Sequence, residues 1–232
     1  MAQQQPKQKT RRVTTKHDAR KSSIHIVPKT AGQEHCLNSM GEADQVIVFG
    51  PSGTGKTFIV SSYAAQLYHN KTINKIVITR PHVAVGKDLG YLKGDLEDKT
   101  KPWAMPVIDV LEEQLGKGVV DTALKKGNIE VAPLALMRGR SFNNAFVICD
   151  ESQNITFHEL KMLLTRIGEG SKLVLNGDIM QSDLKEADGL SRILGLVKKY
   201  DLPVPVVEFD IDDIVRSDAC KMWVETFVME SV

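Results

Sequence analysis

The chain has 232 residues, 42% of them apolar and 25% charged, which is the size and composition of one globular domain with room for an appendage and excludes wholesale disorder. No apolar run approaches the roughly 18 residues of a membrane span, and the opening MAQQQPKQKTRRV has no apolar segment behind its basic residues, so neither membrane insertion nor a secretory leader is expected. The net charge of +1 hides an asymmetry: residues 1–29 carry eight Lys or Arg against Asp18, a net +7, which leaves −6 on the remainder.

Residues 1–29 are polar, rich in Gln and Lys and without periodicity, so they read as a basic, largely disordered arm before a single domain over 30–232. Such an arm is either a solvated tail or a segment that binds a polyanion such as nucleic acid, and charge alone does not choose. From about residue 33, apolar runs alternate with amphipathic stretches. QVIVFG (45–50) is a short buried-strand pattern, and 55–69 follows as a helix. KIVITR (75–80) is the next strand, and 81–103, rich in Gly and charge, reads as a long loop or small insertion. Residues 105–115 and 119–126 look helical; 128–133 and 144–151 look like strands. Thr156 with Glu159 forms a capping-box pattern that opens a helix over 157–167. KLVLNGD (172–178) is a strand, 187–200 an amphipathic helix, 204–210 the last strand and 217–230 the last helix. Continuous apolar strands alternating with helices predict an α/β fold, a mostly parallel sheet covered by helices on both faces.

Gly50-Pro51-Ser52-Gly53-Thr54-Gly55-Lys56-Thr57 matches G-x-x-x-x-G-K-[ST], with a strand before it and a helix after it. Its glycines let backbone N–H groups turn inward around phosphates, and the following helix N-terminus adds partial positive charge. Lys56 is placed to reach the β- and γ-phosphates and Thr57 to ligate Mg²⁺. AFVICDES (145–152) is an apolar strand ending in adjacent carboxylates, the Walker B pattern. Asp150 would hold Mg²⁺, and Glu151 would orient or deprotonate the attacking water. Cys149 inside that run reads as a small core residue. The three cysteines, Cys36, Cys149 and Cys220, are far apart and form no CxxC, which argues against a disulfide framework or a cysteine zinc site and fits a reducing cytoplasm. After the next strand, Asn176, Gly177, Asp178 and Gln181 follow, and Gln181 is either a γ-phosphate sensor or part of an ordinary Asn-Gly-Asp strand exit.

GPSGTGKT, ITRP (78–81), LGYLKGDLEDK (89–99), APLALMRGRSF (132–142), CDESQN (149–154), LLTRIGEGSKLVLNGDIMQSDL (163–184) and IVRS (214–217) together resemble the PhoH-like proteins, phosphate-starvation-inducible P-loop ATPases related to superfamily 1 helicases. The blocks keep order and spacing over about residues 25–228. The resemblance implies a RecA-like core, use of ATP and Mg²⁺, and coupling to RNA or DNA. It implies Thr57 and Asp150 at Mg²⁺, Glu151 as catalytic carboxylate and Gln181 as the helicase-type sensor. Gln33, 17 residues before Gly50, matches a helicase-like glutamine that reads adenine. Stand-alone members of this size occur in phage genomes, where the setting is a host cytoplasm.

Phosphoryl transfer needs positive charge on the γ-phosphate. Arg138, Arg140, Arg166 and Arg216 are candidates, and Arg216, after the last strand, is preferred. A superfamily 1 helicase sets ATP between two RecA-like domains, and this chain holds one. The completing arginine therefore comes from another subunit or from its own C-terminal segment, which points to a homo-oligomer, with a ring as one form. Arg80 and Pro81 in ITRP resemble a helicase motif that touches the nucleic-acid backbone. In 86–103, basic residues interleave with Tyr91 and Trp103, but acidic residues nearly cancel them, so a base-stacking surface and a solvated loop remain equal readings. The function this pattern predicts is Mg²⁺-dependent ATP hydrolysis coupled to single-stranded RNA or DNA. The alternative is a regulatory ATPase in which ATP controls assembly.

Overall fold

A computed structural model describes residues 23–81, 96–178 and 189–230. Six strands form one sheet: β1 (Gln45–Phe49), β2 (Lys75–Thr79), β3 (Ile129–Val131), β4 (Ala145–Cys149), β5 (Lys172–Gly177) and β6 (Val206–Glu208). Their spatial order is β3-β2-β4-β5-β1-β6, and every pairing is parallel. The helices are α1 (Ala31–Glu42), α2 (Lys56–His69), α3 (Leu96–Leu115), α4 (Lys117–Lys125), α5 (Phe157–Leu164), α6 (Gly189–Tyr200) and α7 (Asp218–Glu230).

Strand side chains alternate between two cores, as period-2 geometry requires. Val46, Val48, Ile76, Ile78, Phe146, Ile148 and Val174 face a core built with α1 to α4. Ile47, Val77, Val147, Cys149, Leu173 and Leu175 face a second core with Leu160, Leu163, Leu190 and Ile193 of α5 and α6. Burial on both faces explains why the strands read as unbroken apolar runs. The expected α/β architecture is the one observed, a RecA-like core whose β5 lies between the strand leading into the phosphate loop and the strand ending in the carboxylate pair.

Three differences from the sequence reading have physical causes. Residues 23–29 belong to the ordered body: Ile24 is buried, and its carbonyl accepts from Gln66 Nε2 at 2.9 Å, so an apolar residue anchors a stretch whose mean composition is polar. Residues 1–22 of the basic arm lie outside the described residues. Helix α1 had no apolar stripe to announce it; it buries Gln33, Cys36, Ser39 and Met40, and Thr30 caps it by accepting from Gln33 N. Helix α3 begins at Leu96, inside the stretch read as a loop, and carries Pro102 and Pro106 internally, residues that ordinarily end a helical pattern. Of the region read as insertion, residues 82–95 lie outside the described residues.

The capping box at Thr156 and Glu159 forms as expected, although its helix ends at Leu164. Cys36, Cys149 and Cys220 are free thiols; burial pushes Cys36 up to about 12 and Cys149 well above its ordinary value. No helix among the described residues is long and apolar enough to cross a membrane.

Candidate nucleotide site

Strands β1, β4 and β5 all point their carboxyl ends at one cleft, the position where open parallel sheets bind ligands. A cavity of about 370 Å³ opens there between the phosphate loop, Asp150, Glu151, Asn176, Arg80 and Arg216. The loop from Gly50 to Gly55 leads directly into α2, so its backbone N–H groups and the helix N-terminus converge on the cavity.

Two loop glycines are dictated by their surroundings. Gly55 has φ +81°, and an added Cβ would lie 2.8 Å from Gln33 Nε2. Gly53 has φ +90°, and its Cβ would lie 3.2 Å from Arg216 Cδ. Both need the left-handed conformation that glycine adopts without penalty. Lys56 Nζ donates to the carbonyls of Gly50 and Pro51, each at 2.8 Å, and lies 3.4 Å from Thr54 Oγ1. Burial lowers its pKa, and Asp178, Asp150 and Glu151 work against that fall.

Asn176 joins the loop to the acidic strand. Its Nδ2 donates to Asp150 Oδ1 at 2.6 Å and to Thr57 Oγ1 at 3.1 Å. Its Oδ1 is buried without a hydrogen-bond partner. Burial raises the pKa of Asp150, the charge of Glu151 adds to that rise, and Arg80 and the Asn176 bond oppose it. A hydroxyl and a carboxylate held together by one amide, with an unpaired buried oxygen beside them, form an oxygen-donor set. Oxygen donors of this kind suit Mg²⁺, which is held by one or two protein ligands plus substrate phosphates. Among the described residues there is no group of three or more His, Cys, Asp or Glu that could hold a metal unaided.

Glu151 sits in the left-handed region at φ 53°, ψ 40°, an unusual conformation for a side-chain-bearing residue and one that concentrates at functional sites. Gln153 Nε2 donates to its Oε2 at 2.6 Å, and Arg80 approaches its Oε1 at 3.5 Å. Gln153 Oε1 accepts from Asp178 N at 3.0 Å, which ties the acidic turn to the end of β5.

Of the sequence candidates, Ser52, Gly53, Gly55, Lys56, Thr57, Asp150, Glu151, Arg80 and Arg216 line the cavity, with Gly50, Pro51 and Thr54 completing the loop behind Lys56. Gln33 lies beside the loop rather than in the cavity: its Nε2 donates to Thr54 O at 3.0 Å and its Oε1 accepts from Lys29 N at 2.8 Å. Pro81 is buried immediately after Arg80. Gln181 lies outside the described residues. Arg140 is tied to Glu130 by two bonds, at 2.5 and 2.8 Å, and Arg138 lies 3.5 Å from His158. Neither of these, nor Arg166, lines the cavity, which leaves Arg216 as the late arginine that does. The sequence assigns no role to Asn176 or Gln153, because an Asn at a strand exit has the signature of a turn former and a Gln in the turn after the acidic pair has no local signature at all.

The family profile described as PhoH-like protein matches residues 25–228. A PhoH-like protein of Bacillus subtilis is 39% identical over 212 residues, covering 90% of this chain and 66% of that protein. Protein PhoH of Escherichia coli K12 is 39% identical over 200 residues, covering 84% of this chain and 56% of that protein. The chain thus spans a little over half to about two thirds of the curated relatives it matches. Among solved structures, the MrfA helicase bound to DNA aligns over 77% of this chain and 25% of its own, at 10% identity and TM-score 0.46. The Pif1 helicase of Candida albicans aligns over 80% of this chain and 41% of its own, at 16% identity and TM-score 0.40.

Proposed function

The chain belongs to the PhoH-like proteins, a family of P-loop nucleoside triphosphatases, and from that premise we propose that it hydrolyses ATP with Mg²⁺ and couples turnover to single-stranded RNA or DNA as a homo-oligomer. The observation that carries the hydrolytic part is the bridge from Thr57 through Asn176 to Asp150, with Glu151 and Lys56 in the same cavity wall.

In this reading the loop backbone and Lys56 grip the β- and γ-phosphates, Lys56 exchanging its loop carbonyl bonds for phosphate oxygens. Thr57 and Asp150 hold Mg²⁺, which when bound neutralises charge on the phosphates. Glu151 orients a water for in-line attack on the γ-phosphorus and takes its proton as the bond to the β–γ bridging oxygen breaks. Arg216 stabilises charge on the departing γ-phosphoryl oxygens, with Gln181 as sensor. Gln33 would read adenine by giving up one of its two backbone bonds. For the nucleic-acid contact that the ITRP resemblance implies, Arg80 would have to leave Glu151, which it approaches at 3.5 Å, while the basic residues ahead of the ordered body would supply non-specific phosphate contacts.

A regulatory ATPase is favoured by one specific feature: both carboxylate oxygens of Glu151 already face partners, Gln153 and Arg80, an arrangement suited to slow basal turnover. ATP turnover with Mg²⁺, with and without single-stranded RNA and DNA, separates the readings when wild type is compared with Glu151→Gln. Stimulation by one nucleic acid, abolished in the variant, is the expected result. Turnover that depends on Glu151 but ignores both nucleic acids would establish the regulatory reading instead.

A further inference from the structure

Two surfaces outside the nucleotide cavity have no function in the reading above. The first is helix α7, which shares few contacts with the body beyond the turn at Ile211–Asp213. It leaves Met222, Trp223, Phe227 and Met229 at 52, 56, 61 and 75% exposure. Trp223 and Phe227 stack with ring centroids 5.7 Å apart, so these two exposed aromatics form one contiguous apolar ridge. Contiguous apolar surface of this kind marks an interaction site. The second is an apolar groove of about 410 Å³ between α5, α6 and the leading ends of β1 and β5. Phe157, Leu164, Ile193, Leu196, Leu202 and Val204 shape it. No described residue of α7 lines it.

Charge identifies the occupant. Helix α7 carries Asp218, Glu225 and Glu230 against Lys221, a net −2. Helix α6, which forms one wall of the groove, carries Arg192, Lys198 and Lys199 and no acid, a net +3, and exposed Lys161 lines the groove from α5. A ridge on an acidic helix and an apolar groove that holds Lys161 and is walled by a basic helix are complementary in both hydrophobicity and sign.

We propose that the α7 ridge of one copy of this chain docks in the α5–α6 groove of the next. The two surfaces differ, so the contact is head-to-tail and propagates into a closed ring or an open filament. Because α7 begins two residues after Arg216, docking also anchors the segment that carries the cavity arginine. The proposal rests on the homo-oligomer reading above and supplies its interface.

The test is sedimentation velocity of the full chain at low ionic strength, across concentration, without nucleotide. Four proteins are compared: wild type, Lys198→Glu/Lys199→Glu, Glu225→Lys/Glu230→Lys, and the fourfold variant. All four positions lie on the surface or its edge, so folding is retained, and circular dichroism checks this. The expected result is an oligomer for wild type, association weakened about tenfold or more in each double variant, and recovery in the fourfold variant, where both signs are exchanged. Trp223→Ala weakens association comparably, as removal of an aromatic anchor does. Wild type that oligomerises while both double variants behave identically to it overturns the interface but not the oligomer. Loss in the doubles without recovery in the fourfold variant also overturns the pairing. A wild type that stays monomeric at every concentration overturns the oligomer reading and this proposal together.

Discussion

Asn176 is the residue on which the metal side of the site turns. Its amide holds Thr57 Oγ1 and Asp150 Oδ1 at 3.1 and 2.6 Å, so it fixes two proposed Mg²⁺ ligands without itself being a charged donor. Residues that orient metal ligands are typically worth about 10–100-fold in metal affinity. Asn176→Ala is therefore expected to raise the Mg²⁺ concentration for half-maximal turnover about tenfold or more. Binding of a fluorescent ATP analogue without Mg²⁺ should change little, because Lys56 and the loop backbone are untouched. An unchanged Mg²⁺ titration would remove Asn176 from the site. The fixed positions of the phosphate loop and the Asp150-Glu151 pair were legible in the sequence because their chemistry imposes spacing. Asn176 and Gln153 were not, because what they do depends on the ends of β4 and β5 meeting in space, and no local pattern encodes that.

At the scale of elements, the edge of the sheet is pinned by charge. Glu130 of β3 receives two bonds from Arg140 and pairs with Lys75 of β2 at 2.6 Å. The Arg140 bonds, with Lys75 behind them, hold its pKa down at about 2. A carboxylate depressed in the folded state stabilises the protein above its unfolded pKa, and that contribution fades as pH falls towards the folded value. The cluster should thus lend stability that is lost between about pH 4.5 and pH 2. Chemical-denaturation midpoints measured across that window should fall less steeply for Glu130→Gln than for wild type, and parallel curves would show the cluster contributes nothing. The bond to Arg140 also explains why one of the candidate arginines is absent from the cavity. Strands and the amphipathic helices α5 and α6 were readable because their burial follows a period. Helix α1 buries a polar and small-residue face, and α3 runs through two prolines, so neither shows the pattern that periodicity detects.

Across the whole molecule, the segment from Phe209 to Arg216 ties together parts of the chain that are distant in sequence. Phe209 N donates to Phe49 O at 2.8 Å, and Val215 N donates to Gly53 O at 3.1 Å. Buried Asp213 accepts from Gly32 N at 3.0 Å and from Asp210 N at 3.1 Å, placing a carboxylate at the N-terminus of α1, where the helix dipole favours it. Helix α1 in turn sends Gln33 under Gly55. The phosphate loop is thus clamped from both sides, by α1 and by the strap that carries Arg216, and a ligand that grips the loop must stabilise the entire assembly. Saturation with a non-hydrolysable ATP analogue and Mg²⁺ at 100 times its Kd adds about 2.7 kcal/mol. At about 2–4 °C per kcal/mol for a chain of this size, the melting temperature should rise about 5–10 °C. Asp213→Ala loses two bonds to a charged acceptor, a cost of about 3 kcal/mol. It should also shrink the ligand-induced rise, because the strap no longer holds Val215 and Arg216 against Gly53. A variant that melts with wild type and keeps its full ligand shift would mean that the strap and the loop are mechanically independent, and that the arginine reaches the cavity without help from the C-terminal segment's anchorage.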